Sequence, residues 1–324
     1  MSLGEFDLIA RYFTRATPRA VLGPGDDCAL IAPRAGTQLA ISSDMLVEGR
    51  HFLSTVEPRR LGHKALAVNL SDLAACGAQP LACTLALALP RADAAWLEGF
   101  AAGFHALAEA HGCELVGGDT TAGPLNLCVT VFGEVPAGGA LLRSGARAGD
   151  ELWVSHAPGG GVGDARLALE AFRGRVALPG ADFERVRRAM EEPQPRVALG
   201  LALRGLASAA IDVSDGLLGD LGHVLRRSGV GATVDADALP RSAELAAQPL
   251  ALQRLCTLAG GDDYELVFTA PPAQRERVEA AAREVGVGVA RFGRIEAGAG
   301  LRVVDGAGRP LEAAGWASFD HFKS

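Results

Sequence analysis

Six aspartates set beside glycine, serine or threonine are spread along the chain: Asp27 in Gly25-Asp-Asp-Cys, Asp44 after Ser42-Ser43, Asp72 after Asn69-Leu-Ser, Asp119 in Gly117-Gly-Asp-Thr-Thr, and Asp212 and Asp215 in Ile211-Asp-Val-Ser-Asp-Gly. Carboxylates and hydroxyls are hard oxygen donors, and a set of this kind is expected to gather around divalent metal. Asp72 states the problem most sharply. Leu66, Leu70, Leu73 and Ala74 recur at helical spacing, Gly77 sits where a left-handed terminating residue belongs, and Pro80 forbids continuation. The segment reads as a largely buried helix carrying a narrow polar stripe of Asn69 and Asp72. An ionised carboxylate there is costly unless a cation or several donors meet it.

The elements that must carry these residues follow from the pattern. An amphipathic helix is expected over 4–13, then a Gly-Pro-Gly turn delivering Asp26 and Asp27 at the start of a strand. A strand at 38–41 is expected to end in Ser42-Ser43-Asp44, with His51 one loop later. Leu81 to Leu89 reads as a strand, Ala92 to Ala110 as a helix with Trp96, Phe100, Phe104 and Leu107 on one face, and Glu114 to Val116 as a short strand running into the Gly117-Gly118 loop. Glycines there let a backbone approach a ligand. After a strand at 125–135, the Gly138-Gly139 pair and Arg143-Ser-Gly place a domain boundary near 145.

The second half opens with a strand at 151–155 and a glycine run, 158–163, ahead of a helix from Ala165. Such a run suits either phosphate binding through backbone N–H groups or a flexible connector. A helix is expected over 197–209. A buried strand then aims Asp212, Ser214 and Asp215 at one point before a helix from Leu217, where Asp215 also suits a helix cap. Gly260-Gly-Asp-Asp repeats the glycine and aspartate theme, and the aromatic cluster at 316–322 reads as a lid or plug. Strands and helices alternate in both halves without long βαβ regularity, which gives an α+β class: two domains, 1–145 and 146–324, meeting at a cleft.

Composition narrows the chemistry. The 324 residues are 49% hydrophobic with net charge -7 and mean hydropathy +0.19, a profile with ample core that argues against nucleic-acid or anionic-membrane partners. The only lysines are Lys64 and Lys323, neither in a Gly-x-x-x-x-Gly-Lys loop nor in a Val-Ala-Ile-Lys strand, so P-loop and protein-kinase folds are excluded. Phosphate handled here must be met by arginine and metal. Six scattered cysteines without a C-x-x-C pair read as reduced thiols, and the first turns lack a signal-peptide pattern. Both point to the cytoplasm.

Taken together, Gly25-Asp-Asp-Cys-Ala, Ile41-Ser-Ser-Asp, His51-Phe52, Ala67-Val-Asn-Leu-Ser-Asp-Leu-Ala-Ala, Gly117-Gly-Asp-Thr-Thr, Arg143-Ser-Gly-Ala, Ile211-Asp-Val-Ser-Asp-Gly-Leu and Gly260-Gly-Asp-Asp-Tyr-Glu-Leu closely resemble the thiamine-monophosphate kinase family. The match runs in order from Gly4-Glu-Phe to Asp320-His-Phe. The resemblance implies ATP-dependent, magnesium-assisted phosphorylation of thiamine monophosphate to thiamine diphosphate. It also implies the two-domain fold of aminoimidazole ribonucleotide synthetase, with an ATP- and metal-binding N-terminal domain and the active site in the interdomain cleft. A homodimer joined through the N-terminal sheets is implied as well.

By the same resemblance Asp27, Ser42, Ser43, Asp44, Asp72, Asp119 and Asp212 ligate several magnesium ions, with Asp215 holding another. Gly118, Asp119, Arg143 and Ser214 contact ATP, and His51, Asp262 and Phe319 contact thiamine monophosphate. Asp44, Asp72, Asp119, Arg143 and Asp212 stand closest to the chemistry. Two features depart from the family: Asp262 stands where a glutamate is usual, and the glycine run ending at Gly163-Asp164 replaces a Gly-Thr-x-Gly-Asp turn. Related hydrogenase-maturation dehydratases finish in cysteine and selenophosphate synthetases carry a reactive Cys or selenocysteine near the N-terminus; neither feature occurs here. A non-catalytic metal- or nucleotide-binding regulator on the same fold is the reading from another functional class.

Overall fold

The computed structural model describes residues 4–312 and 316, and the chain divides into two compact units. Residues 1–73 with 78–138 make the first; 74–77 with 139–324 make the second, so the units change over at the Gly138-Gly139 pair.

In the first unit, helix α1 (Glu5–Leu8) continues into a π-helical turn, Ile9–Phe13. Strands β1 (Thr37–Val47), β2 (Gln79–Leu89), β3 (Glu114–Ala122) and β4 (Asn126–Pro136) form a sheet in the order β1-β4-β2-β3, with β2 parallel to β3 and the other pairs antiparallel. Helices α2 (Pro58–Ala75) and α3 (Ala94–His111) supply the core. Leu61, Leu66, Leu70 and Leu73 of α2 are almost wholly buried, each contributing roughly 2 kcal/mol of apolar burial. Asp93 caps α3 by accepting the Ala95 and Trp96 N–H groups at 3.1 and 3.2 Å, and Gly112 ends it in the left-handed region. The two helices approach closely because Gly62 and Gly103 lack side chains: a Cβ on Gly103 would lie 1.8 Å from the Arg59 carbonyl oxygen. Trp96, Phe100 and Phe104 stack along α3 at 5.1 and 6.1 Å, the face that the spacing predicts.

In the second unit, β5 (Glu151–His156), β6 (Ala209–Asp212), β7 (Gly231–Asp235), β8 (Leu266–Ala270), β9 (Gly288–Glu296) and β10 (Gly300–Val304) form a mixed sheet in the order β10-β7-β9-β5-β8-β6. Around it run α4 (Asp164–Phe172), α5 (Gly180–Glu191), α6 (Val197–Ala202), α7 (Leu217–Ser228), α8 (Ala243–Ala246), α9 (Leu250–Ala259) and α10 (Arg275–Glu284). Leu217, Leu221 and Val224 of α7 close over Leu152, Val154, Ile211 and Val267 of the sheet, and Trp316 packs against this core. The rest of the aromatic tail lies outside the described residues.

Four expectations are corrected. No strand follows Asp27; an isolated bridge joins Leu22 to Leu30, and Gly25, at φ 122, turns the chain between them. Strand β1 runs on through Ser42-Ser43-Asp44 to Val47, because its ladder with β4 continues to Asn126 and the Ser42 and Ser43 hydroxyls find partners on the strand's two faces. Gly117 to Thr121 is strand as well, with a register shift that leaves Val116 without a counterpart in β2. Helix α6 stops at Ala202, and Gly205 at φ 72 turns the chain toward β6.

Candidate active site

In the first unit the two-residue period of β1 sorts its polar triplet. Ser42 and Asp44 face α2. The Ser42 hydroxyl donates to Asp72 Oδ2. The Asp44 N–H donates to Asn69 Oδ1 at 3.0 Å, while Asn69 Nδ2 donates to the Ala65 carbonyl at 3.1 Å. Buried Asn69 is thus a bracket between helix and strand. Asp72 is half-buried with a protein hydroxyl as donor, so the carboxylate whose helix calls for a cation has part of its requirement met by Ser42. Ser43 faces the other way: its hydroxyl lies 2.9 Å from the Thr130 hydroxyl and donates to the Val129 carbonyl at 3.2 Å.

His51 is fixed just beyond β1, its Nδ1 accepting the Val47 N–H at 2.9 Å, which leaves Nε2 to carry the proton in the neutral ring. Asp27 is exposed on its loop, where Asp26 Oδ1 accepts its N–H at 3.0 Å. Asp119 is exposed on β3, opposite Ala86.

Gly118 has a structural duty that the sequence did not disclose. At φ 149 it packs on β2 so closely that a Cβ would lie 1.9 Å from the Leu85 carbonyl oxygen. Gly118→Ala is therefore expected to cost about 2–4 kcal/mol through backbone strain and overpacking, measured as a lowered urea midpoint with unchanged slope. A midpoint equal to the parent's would show that the strand pair yields without cost.

In the second unit three motif segments are stitched together. The Val213 N–H reaches the Glu265 carbonyl at 2.8 Å, the Tyr264 N–H the Val213 carbonyl at 2.9 Å, and the Asp262 N–H the Ser214 carbonyl at 2.8 Å. Asp262 and Tyr264 are held at φ 70 and 52, a conformation that aspartate tolerates better than most residues. Asp263 Oδ2 accepts the Gly163 N–H at 2.8 Å and ties in the glycine run. Asp212 ends β6, buried and opposite Leu266, while Ser214 and Asp215 are exposed. Arg143 is exposed, with its carbonyl accepting the Ser228 hydroxyl at 3.3 Å. Burial, then Arg226 and Arg143, lower the His223 pKa while Asp215 opposes them, so Arg143 and Asp215 act on the same imidazole.

Three supporting groups escaped sequence reading. Asp220, one turn inside α7, accepts the N–H groups of Ser214, Asp215 and Gly216, and the N-cap position of α7 is Gly216 with no side-chain cap, so Asp215 does not cap the helix. Asp263 lies within a motif but had no role assigned. Glu265 is a buried anchor, accepting from the Ser155 hydroxyl and from the Arg196 guanidinium, whose Nε lies at 2.7 Å. No spacing rule marks them, since each depends on which loop folds against it. Phe319 lies outside the described residues. A separate cavity of about 410 Å³ in the first unit, lined by Arg19, Arg34, Gln79, Glu114 and Glu134 among others, contains none of the expected site residues.

Burial raises the Asp164 carboxyl to about 6 against the Ser242 hydroxyl and Arg185. Burial and then Asp215 raise Asp220 to about 6 against three backbone N–H groups, and burial holds Asp263 well above the ordinary range. A folded-state pKa above the unfolded one gives stability that is complete below the unfolded value and lost as pH rises through the folded value. Stability is therefore expected to fall between about pH 4 and pH 7, by about 1–3 kcal/mol for Asp164 alone. Thermal melts across this range check it, and Asp164→Asn should flatten the curve; a curve as steep as the parent's would discharge Asp164.

Among the described residues, no group of three or more His, Cys, Asp or Glu side chains is arranged to hold a metal ion. The donors present still suit magnesium, which keeps several waters and is usually held by one or two carboxylates together with substrate phosphates rather than by an all-protein cage.

Residues 25–135 match the N-terminal domain of AIR synthase related proteins, and 147–306 match their C-terminal domain. Over 328 residues the chain is 44% identical to the thiamine-monophosphate kinase of Salmonella typhimurium, covering 99% of both proteins. The chain belongs to the thiamine-monophosphate kinase family. The family enzyme of Escherichia coli K12 is likewise 44% identical over 99% of both chains. The crystal structure of thiamine-monophosphate kinase from Stenotrophomonas maltophilia superposes with TM-score 0.84 at 47% identity, covering 96% of this chain and 99% of that one. A structure described as AaThiL complexed with AMPPCP and TMP aligns with TM-score 0.76 at 29% identity, over 90% and 89% of the two chains. This family membership makes the protein an enzyme. No helix among the described residues is long and apolar enough to cross a membrane.

Proposed function

We propose that the protein transfers the terminal phosphoryl group of ATP directly to the phosphate of thiamine monophosphate, giving thiamine diphosphate and ADP. The observation that carries this reading is 44% identity along the full length of thiamine-monophosphate kinases, with the metal motifs of the resemblance intact. The AaThiL complex, which holds AMPPCP and TMP, adds support. Asp27, Ser42, Ser43, Asp44, Asp72, Asp119, Asp212 and Asp215 are the residues that would hold magnesium. When bound, magnesium supplies positive charge between two anionic phosphates.

The chain's own contribution is alignment. Ser42 and Asn69 fix Asp72 and the Asp44 backbone. Gly118, Asp119, Arg143 and Ser214 are assigned to ATP, with the Arg143 guanidinium adding charge to the developing phosphoryl group. His51, Asp262 and Phe319 are assigned to thiamine monophosphate. The acceptor oxygen is already anionic, so no strong general base is needed, and in-line transfer proceeds without a phospho-enzyme. The reaction belongs in the cytoplasm. The homodimer reading gains support from edge strand β1, which exposes Leu39, Ile41 (61%) and Met45 (56%) on one face.

ADP release measured with ATP and magnesium should require thiamine monophosphate, and labelled ATP alone should leave the protein unlabelled. Release without the acceptor, or stable stoichiometric labelling, would defeat direct transfer.

A further inference from the structure

Three consecutive backbone N–H groups, those of Ser214, Asp215 and Gly216, converge on one oxygen, Asp220 Oδ2, each at 3.1 Å. Successive amides aimed at one point form a nest, a geometry that binds anions. In this protein the anion is internal. Asp220 is only 4% exposed and sits one turn inside α7, whose N-cap is Gly216 at φ 129 with no side-chain cap of its own. The same turn is gripped from its other side, where the Ser214 carbonyl accepts the Asp262 N–H at 2.8 Å. Gly261 packs so near it that a Cβ would lie 2.3 Å from the Ser214 oxygen. With its amides taken inward and the Ser214 carbonyl engaged, the turn presents its exposed Ser214 and Asp215 side chains.

We propose that Asp220 is a positioning residue for nucleotide binding: its carboxylate fills the nest that a phosphate would otherwise occupy and thereby fixes Ser214 and Asp215 outward. The proposal rests on the reading that Ser214 contacts ATP. An apolar residue in place of Asp220 would leave three donors, the Gly216 N–H buried and the other two partly so, without their acceptor and free the turn to rearrange. The consequence for the reaction is expected to fall mainly on the nucleotide, because the side chains of the 214–216 turn are assigned to it and the turn meets Asp262 only through the Ser214 backbone carbonyl.

The test compares the full-length parent, Asp220→Ala, Asp220→Asn and Ser214→Ala, reading KM for ATP, KM for thiamine monophosphate, kcat and hydrogen exchange at the 214–216 amides. Asp220→Ala should raise KM for ATP about tenfold or more, with KM for thiamine monophosphate within about twofold, and the three amides should lose protection. Asp220→Asn keeps an acceptor oxygen without the charge, so about a threefold rise in KM for ATP is expected. Should Asp220→Ala not fold, Asp220→Asn carries the test: a KM for ATP equal to the parent's overturns the proposal. Equal rises in both KM values, or a fall in kcat alone that follows the folded fraction, also overturn it as a purely structural role. Ser214→Ala separates the two readings. If it leaves KM for ATP unchanged while Asp220→Ala raises it, the assignment of Ser214 fails and the positioning role stands through Asp215. If only Ser214→Ala raises it, the positioning role fails.

Discussion

Asp72→Asn is expected to lower kcat by about three orders of magnitude while the protein stays folded. The exchange of a carboxylate for an amide conserves volume, and the introduced amide oxygen would still accept the Ser42 hydroxyl that now bonds to Asp72. Packing around α2 is unaltered, since Leu70 and Leu73 on the same turn remain buried. The negative charge available to a cation is lost. In chelator the parent and the variant should melt within a few degrees, because the relief of carboxylate repulsion is offset by a weaker Ser42 bond.

Magnesium should separate the two proteins. A ligand bound only by the folded state stabilises by RT ln(1 + [L]/Kd), about 2.7 kcal/mol at a hundredfold excess over Kd, and the variant should show less of this rise than the parent. Steady-state kinetics and paired melts with and without magnesium make the check. Activity within tenfold of the parent, together with a full magnesium response, would mean that Asp72 serves contacts within the protein, the Ser42 hydroxyl among them, and not a cation.

Arg196→Ala is expected to destabilise the second unit by about 3–5 kcal/mol, since removing one partner of a buried ion pair strands the other charge. Arg196 and Glu265 side chains are 11% and 6% exposed. Burial would depress the Arg196 pKa, yet hydrogen bonding to Glu265 and its charge hold it above the ordinary value. Glu265 also accepts the Ser155 hydroxyl, and its backbone carbonyl receives the Val213 N–H next to Asp212. Loss of the arginine should therefore loosen the register between the two aspartate motifs as well as lower the melting temperature. Replacing both partners, Arg196→Met with Glu265→Leu, should recover part of the stability, because an apolar pair avoids the desolvation cost while the buried Ser155 hydroxyl loses its acceptor. A single variant that melts like the parent would show Glu265 to be satisfied without Arg196.

What the sequence determined was local. Period and punctuation were enough for the α2 segment through Leu73 and Gly77, for the aromatic face of α3, for β2 as an apolar run, and for the strand, turn and helix around Asp212 to Ser228. In each, burial or backbone geometry depends on residues a few positions apart. The motifs likewise identified the family, because residue types in order are themselves a sequence property.

Tertiary structure decided everything that depends on a partner distant in the chain. Ser42 and Asp44 lie within β1 rather than at its end because the ladder with β4 continues past them, with Asp72 and Asn69 of α2 meeting the Ser42 hydroxyl and the Asp44 N–H, while Ser43 turns to Thr130 of β4. Gly118 is required by the Leu85 carbonyl across the sheet rather than by the aspartate beside it. Asp220 takes the amides of the 214–216 turn that leads into α7, and Asp263 reaches back to Gly163. The physical reason is common to all four. A polar group or a glycine is explained by whatever occupies the few ångströms around it, and that neighbour is chosen by long-range packing, on which spacing along one chain carries no information.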